Sequence, residues 1–148
     1  MNNNSTFTTL LIEDNMADAR LVEEAFKESK LLVNLQICTN GEEAVELLMQ
    51  LIATNQPLPD MIMLDLNLPG MDGKEVLAKI KQQPTLKRVP VVILTTSQAD
   101  RDIVQSYNLS ANAYVIKPLD FDQFMTIIRE TAQFWLTIAV LPNGRTDD

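Results

Sequence analysis

The chain contains no histidine. That absence removes imidazole metal sites, Ser–His and Cys–His dyads, and any phosphohistidine carried on this chain itself. Cations are scarce too: twelve Lys and Arg stand against twenty Asp and Glu, a formal net charge of −8. Nucleic-acid binding needs a basic face for phosphates, so no nucleic-acid partner is expected. The single cysteine, Cys38, sits in an apolar-alternating segment and reads as a small buried side chain in a reducing compartment. No apolar run approaches the length of a bilayer span, and MNNNSTFTT lacks a signal peptide's basic start and apolar middle. A cytoplasmic protein with no membrane contact is expected.

What is present suits one globular domain: 148 residues, 46% hydrophobic and 22% charged, with no repeats and no linker. Segment types alternate regularly. Strand candidates are FTTLLI (7–12), LVNLQIC (32–38), MIMLD (61–65), VVILT (91–95) and NAYVIK (112–117). Helical periodicity covers 16–30, with Ala19, Val22, Ala25 and Phe26 inward and Asn15 as N-cap. It recurs over 41–53 (Ala44, Leu47, Leu48, Leu51), 73–82 (Val76, Leu77, Ile80), 100–109 and 121–136. The densest cationic stretch, KIKQQPTLKR (79–88), reads as a solvated helix end and turn. A short tail, 137–148, that ends in polar residues follows the core at about 7–136.

Five strands alternating with five helices imply an α/β fold, a doubly wound (βα)5 parallel sheet of order 2-1-3-4-5. In such a sheet ligands bind at the carboxyl ends of strands one and three, where the winding reverses. Strand one runs into Glu13-Asp14 and strand three ends at Asp65; strand four adds Thr95 and strand five Lys117. Three carboxylates so close cannot all stay ionised without a counter-charge. A hard divalent cation with few protein ligands, Mg²⁺ in kind, satisfies them. With Lys117 and Thr95 beside it, the site has room for a phosphoryl group and a carboxylate nucleophile.

Two other readings of the Asp65 loop fail. DLNLPG matches a calcium loop at its first, third and sixth positions, but Pro69 and Val76 fall where the fifth and twelfth ligands belong. An aspartyl-phosphate hydrolase would want an acid two residues after the nucleophile, and Asn67 is there.

LLIEDN (10–15), DMIMLDLNLPGMDG (60–73), PVVILTTS (90–97) and AYVIKP (113–118) together resemble the receiver domain of two-component response regulators. The resemblance implies that Asp65 is the phosphoacceptor for a sensor histidine kinase. It implies Asp14 as a direct Mg²⁺ ligand, Glu13 as a ligand through water, and Asn67 as a ligand through its backbone carbonyl. Thr95 would be the switch hydroxyl, Tyr114 the coupled aromatic and Lys117 the phosphoryl-binding cation, with a cis Lys117–Pro118 bond, which a proline permits. Glu13 replaces the commoner Asp of the acidic pair, and Thr96 stands where smaller residues are usual, narrowing access to Asp65.

The segment LDLNLPGMDGKEVLAKIKQ and the closing FWLTIAVLP (134–142) resemble, more narrowly, single-domain regulators paired with bacterial phytochromes. Those act through a downstream protein target, and several dimerise through the fourth helix, fifth strand and fifth helix. Phe121, Phe124, Met125 and Ile128 form one apolar stripe of the last helix, and Ile127, Phe134 and Trp135 begin a second. A helix apolar on two sides is either deeply buried or in an interface. A homodimer using Phe121, Phe134 and Trp135 is one expectation; Phe134 and Trp135 capping the domain's own core is the other. The expected function is a phosphorylation-driven signalling switch that catalyses only its own phosphoryl transfer and autodephosphorylation. The alternative is a pseudo-receiver that binds proteins without phosphorylation.

Overall fold

Strands too short to stand alone and helices with one apolar face must bury each other, and in the computed structural model they do. It describes residues 6–29, 31–95, 111–118 and 120–138. The strands are β1 (Phe7–Ile12), β2 (Val33–Cys38), β3 (Met61–Asp65), β4 (Val91–Thr95) and β5 (Ala113–Ile116). They form one parallel sheet of order β2-β1-β3-β4-β5. Helices α1 (Met16–Glu28), α2 (Gly41–Ala53) and α3 (Gly73–Gln82) follow the first three strands, and a C-terminal helix spans Phe121–Gln133. The segment expected to be helical at 100–109 lies outside the described residues, as does Thr96.

Side chains alternate across each strand, so one sequence feeds two cores. Leu10, Ile12, Ile62, Leu64 and Ile93 face Leu48, Val76, Leu77 and Ile80. Leu11, Met61, Met63, Val92 and Leu94 face Ala19, Val22, Phe26, Phe124 and Ile128. Every residue of β3 is buried, as a central parallel strand covered on both faces requires. The helix faces of α1 and α3 are those their periodicity indicated. In α2 the buried line is Gly41, Ala44 and Leu48, while Leu47 and Leu51 pack at its flank.

Three differences from the expected elements stand out. The second strand starts at Val33, leaving Leu32 exposed, and β5 is four residues rather than six. The C-terminal helix is regular only to Gln133 and then widens into a π-helical turn, Phe134–Ile138. Just before the widening, the Thr131 hydroxyl donates to the Ile127 carbonyl at 2.7 Å, a back-bond of the kind that bends helices. Across the wider turn Leu136 is buried and Trp135 packs partly against the core.

The carboxyl edge of the sheet is held by caps. Asn15 starts α1 by accepting from the Asp18 amide, and Asn40 starts α2 by accepting from the Glu43 amide. Asp72 and Glu75 cap α3 reciprocally. Gly73 brings that helix hard against the end of β3: a Cβ there would lie 2.3 Å from the Asp65 carbonyl oxygen and 2.5 Å from the Leu66 Cα. Both obstacles are backbone, so Gly73→Ala is expected to cost about 1–3 kcal/mol as an overpacking change. Denaturant unfolding checks this, and a variant as stable as the wild type would contradict the packing.

Candidate functional site

Three strand ends bring charge to one edge of the sheet. Glu13 follows β1 with no exposed surface, its amide donating to the Cys38 carbonyl at 2.9 Å. Asp14 is next and exposed, while Asp65 ends β3 at 6% exposure. Carboxylate oxygens of Glu13, Asp14 and Asp65 lie within 4.8 Å of one another. Lys117 follows β5, buried, and its long stem carries Nζ to the same place.

That ammonium has three hydrogens, and three carboxylates take them. Nζ donates to Glu13 Oε1 at 2.5 Å, Asp18 Oδ2 at 2.8 Å and Asp65 Oδ2 at 3.2 Å. The remaining Asp65 oxygen, Oδ1, accepts from the Asn67 amide at 2.9 Å, and Glu13 Oε2 accepts from the Asn15 amide at 3.2 Å. Both buried acids are therefore oriented, not merely close.

Burial pushes the Glu13 carboxyl up to about 8; Lys117 pulls it down, and the Asp65 charge raises it again. Burial disfavours the Lys117 ammonium, but its bonds to Asp18 and Glu13 and the charge of Asp65 outweigh this and hold it charged. One ammonium faces four carboxylates, counting Asp14. The converging oxygens, all hard donors, fit a divalent cation, which would favour the ionised form of every acid around it. No other group of three or more metal-ligating side chains occurs among the described residues.

The remaining predicted residues are dispersed. Thr95 ends β4, paired with Ile116, which puts its backbone at this edge; its side chain lies outside the described part. Tyr114 pairs with Ile93 and packs, half-buried, against the α2–α3 side of the core. No peptide bond among the described residues is cis, so the expected cis Lys117–Pro118 bond is corrected to trans. Proline narrows the gap between the isomers without requiring cis, and Lys117 reaches its three acids through a trans link. Phe121 is 70% exposed and Phe134 47%, whereas Trp135 is half-buried and meets the Phe134 ring edge-on at 5.2 Å. The core-capping expectation therefore applies to Trp135, and exposure to the two phenylalanines.

Asp18 was not among the residues picked from sequence. Its signal was there: it stands three residues after the N-cap Asn15, in the turn that follows the acidic pair, so it must lie at this edge. Cys38 is buried with its thiol pushed up to about 11, first by burial and then by the Glu43 charge, in keeping with an inert structural role. Among the described residues no helix is long and apolar enough to cross a membrane.

Comparison with known proteins matches this arrangement. Residues 9–129 fit the response regulator receiver domain family. The chain is 45% identical over 134 residues to the response regulator Rcp1 of Synechocystis sp., covering 90% of this chain and 91% of that one. It superposes on the phosphorylated cyanobacterial phytochrome response regulator RcpA with a TM-score of 0.88, at 44% identity, covering 93% of this chain and 99% of that one. The Mn²⁺-bound form of Rcp1 aligns with a TM-score of 0.83, at 43% identity, covering 92% and 99%. The chain belongs to the response-regulator receiver family, and like its members it is a phosphoryl-accepting signalling switch rather than an enzyme with outside substrates.

Proposed function

We propose that Asp65 is the acceptor, taking its phosphoryl group from the phosphohistidine of a sensor histidine kinase. The observation that carries this is the buried Asp65 carboxylate, fixed by the Asn67 amide on one oxygen and facing Lys117 with the other. A carboxylate oxygen attacks phosphorus, the P–N bond to the donor imidazole breaks, and the imidazole leaves with the bonding pair. Asp14 would hold Mg²⁺ directly, Glu13 through water and Asn67 through its backbone carbonyl, with Asp65 completing the set. When bound, the metal would supply positive charge to offset the acids and the phosphoryl oxygens. Lys117 holds a phosphoryl oxygen, Thr95 takes another through its hydroxyl, and Tyr114 moves with Thr95 between two arrangements of the domain. Burial of Asp65 and Glu13 keeps bulk water from the acyl phosphate.

Three finer assignments follow. The kinase is a phytochrome, supported by similarity to Rcp1 and RcpA. The protein works in the cytoplasm, with 1–148 acting as one receiver unit whose output is contact with a downstream protein. Two copies pair through the surface bearing Phe121 and Phe134, large apolar side chains left in contact with water. Light scattering should return a dimer mass, reduced to the monomer in a Phe121→Ser, Phe134→Ser double variant; a wild-type monomer with and without phosphorylation overturns the pairing.

The core reading is tested with acetyl phosphate and Mg²⁺, following intact mass. One added phosphoryl group is expected; none at all would favour a binding module that never carries phosphate.

A further inference from the structure

Lys117 has three acceptors, and they are not equivalent. Glu13 and Asp65 also belong to the group whose oxygens converge with those of Asp14. Asp18 stands outside that group, so its bond to Lys117 competes with no metal. Its backbone is fixed in the first turn of α1: the Asp18 amide donates to Asn15 Oδ1 at 3.0 Å, and the Ala19 amide to the Asn15 carbonyl at 3.0 Å. The carboxylate is thus presented by a rigid element at 2.8 Å from Nζ, with 24% of its side chain exposed.

Beside this contact is a cavity of about 220 Å³, lined by Asn15, Asp18, Leu21, Lys117, Pro118 and Phe121 among others. A lysine ammonium rides on a flexible four-carbon stem. Deprived of Asp18, Nζ could turn into that space and complete its hydrogen bonds with water. With Asp18 in place, the third hydrogen is held on the α1 side and the other two point at Glu13 and Asp65.

We propose that Asp18 is a positioning residue for the phosphoryl transfer: it acts through Lys117, fixing the ammonium toward Asp65. This rests on the reading of Asp65 and Lys117 given above. Asp18 bonds to Lys117 and to the Asn15 cap and is not one of the three converging carboxylates, so its loss should separate phosphorylation from metal binding. A charge-assisted hydrogen bond of this kind corresponds to about a tenfold change in rate.

The test uses the full chain with Asp18→Ala and the near-isosteric Asp18→Asn, which retains an acceptor for Lys117 if the alanine variant fails to fold. Phosphorylation by acetyl phosphate at saturating Mg²⁺ is timed by intact mass. Mn²⁺ affinity is read from the free-ion electron paramagnetic resonance signal. Accessibility of Lys117 in metal-free protein is read from the rate of reductive methylation at that residue. The alanine variant should be phosphorylated about tenfold more slowly, with Asn between it and wild type, while Mn²⁺ affinity stays within about threefold. Methylation of Lys117 should be faster in both. Wild-type phosphorylation rates, unchanged methylation of Lys117, or a loss of Mn²⁺ affinity as large as the loss of rate would each overturn the assignment. Lys117→Met serves as control: if it accepts phosphate at the wild-type rate, the reading of the site fails rather than the role of Asp18.

Discussion

Asp65→Asn should remove phosphorylation altogether while leaving the protein folded and, at alkaline pH, slightly more resistant to heat in the absence of metal. With acetyl phosphate and Mg²⁺, the wild type should gain one phosphoryl group and the variant none. An amide is nearly isosteric with the carboxylate, and its oxygen can still accept from the Asn67 amide, which holds Oδ1 at 2.9 Å. What it lacks is the anionic oxygen that the proposed transfer requires as nucleophile. The stability gain comes from counting neighbours. Asp65 has one cation at 3.2 Å, Lys117, and two acids, Glu13 and Asp14, with oxygens inside 4.8 Å. At close range each fully charged pair interacts by about 4 kcal/mol at the effective dielectric of a protein surface, so once the pH passes the Glu13 value of about 8 two repulsions outweigh one attraction, and the gain is read at alkaline pH. The Asp65 charge is also one of the causes that raise Glu13, and its removal eases that group. Phosphate remaining on the Asn variant would move the acceptor elsewhere, and a fall in its metal-free melting temperature at alkaline pH would contradict the charge balance.

Lys117→Met should be the most destabilising single change at the site. Methionine fills the path of the lysine stem but brings no charge. The side chain it replaces is 5% exposed and bonded to three acids, of which Glu13 has no exposed surface. Removing one partner of a buried ion pair costs about 3–5 kcal/mol, because the other charge is left without compensation. Two dependences distinguish this from loss of packing. First, Mg²⁺ should stabilise the variant more than the wild type, since a bound cation restores the missing positive charge and stabilises by mass action. Second, the metal-free variant should weaken more steeply as pH rises. The sign follows from Glu13, whose folded carboxyl is raised to about 8 from an ordinary 4.5. A raised acid adds stability that is complete below its unfolded value and is lost as pH climbs toward the folded one. Without Lys117, which lowers Glu13, that loss is larger. Denaturant unfolding in EDTA and in Mg²⁺, at several pH values, measures all three effects. A cost below about 1 kcal/mol with no added response to Mg²⁺ would show that Lys117 is not the counter-charge of this cluster.

Much of this molecule is legible in one dimension, and the reasons are local. The bounds of α2, α3, β3 and β4 coincide with those read from sequence. Each is marked by chemistry that acts within a few residues: Asn40-Gly41, the Asp72–Glu75 box, Pro90 before Val91. Where marking is weak the bounds moved, as at Leu32 and beyond Gln133. There the competition between regular helix and packing of Trp135 and Leu136 is decided by the facing core, not by neighbours in the chain. Alternation with right-handed crossovers leaves only a few strand orders, and β2-β1-β3-β4-β5 is the one the sheet adopts.

For the site, the sequence by itself determined which residue types reach the carboxyl edge: Glu13, Asp14, Asp65 and Lys117 each follow or end a strand whose period is plain. It also determined, by having no histidine, that no phosphohistidine forms within these 148 residues. The tertiary structure alone decided how the charges pair. That Lys117 is shared three ways and that Asp18 is one of the three depend on distances across 52, 99 and 104 residues of chain. No periodicity encodes such distances, because a lysine stem can reach several acids and only the packing of α1 against the sheet selects among them.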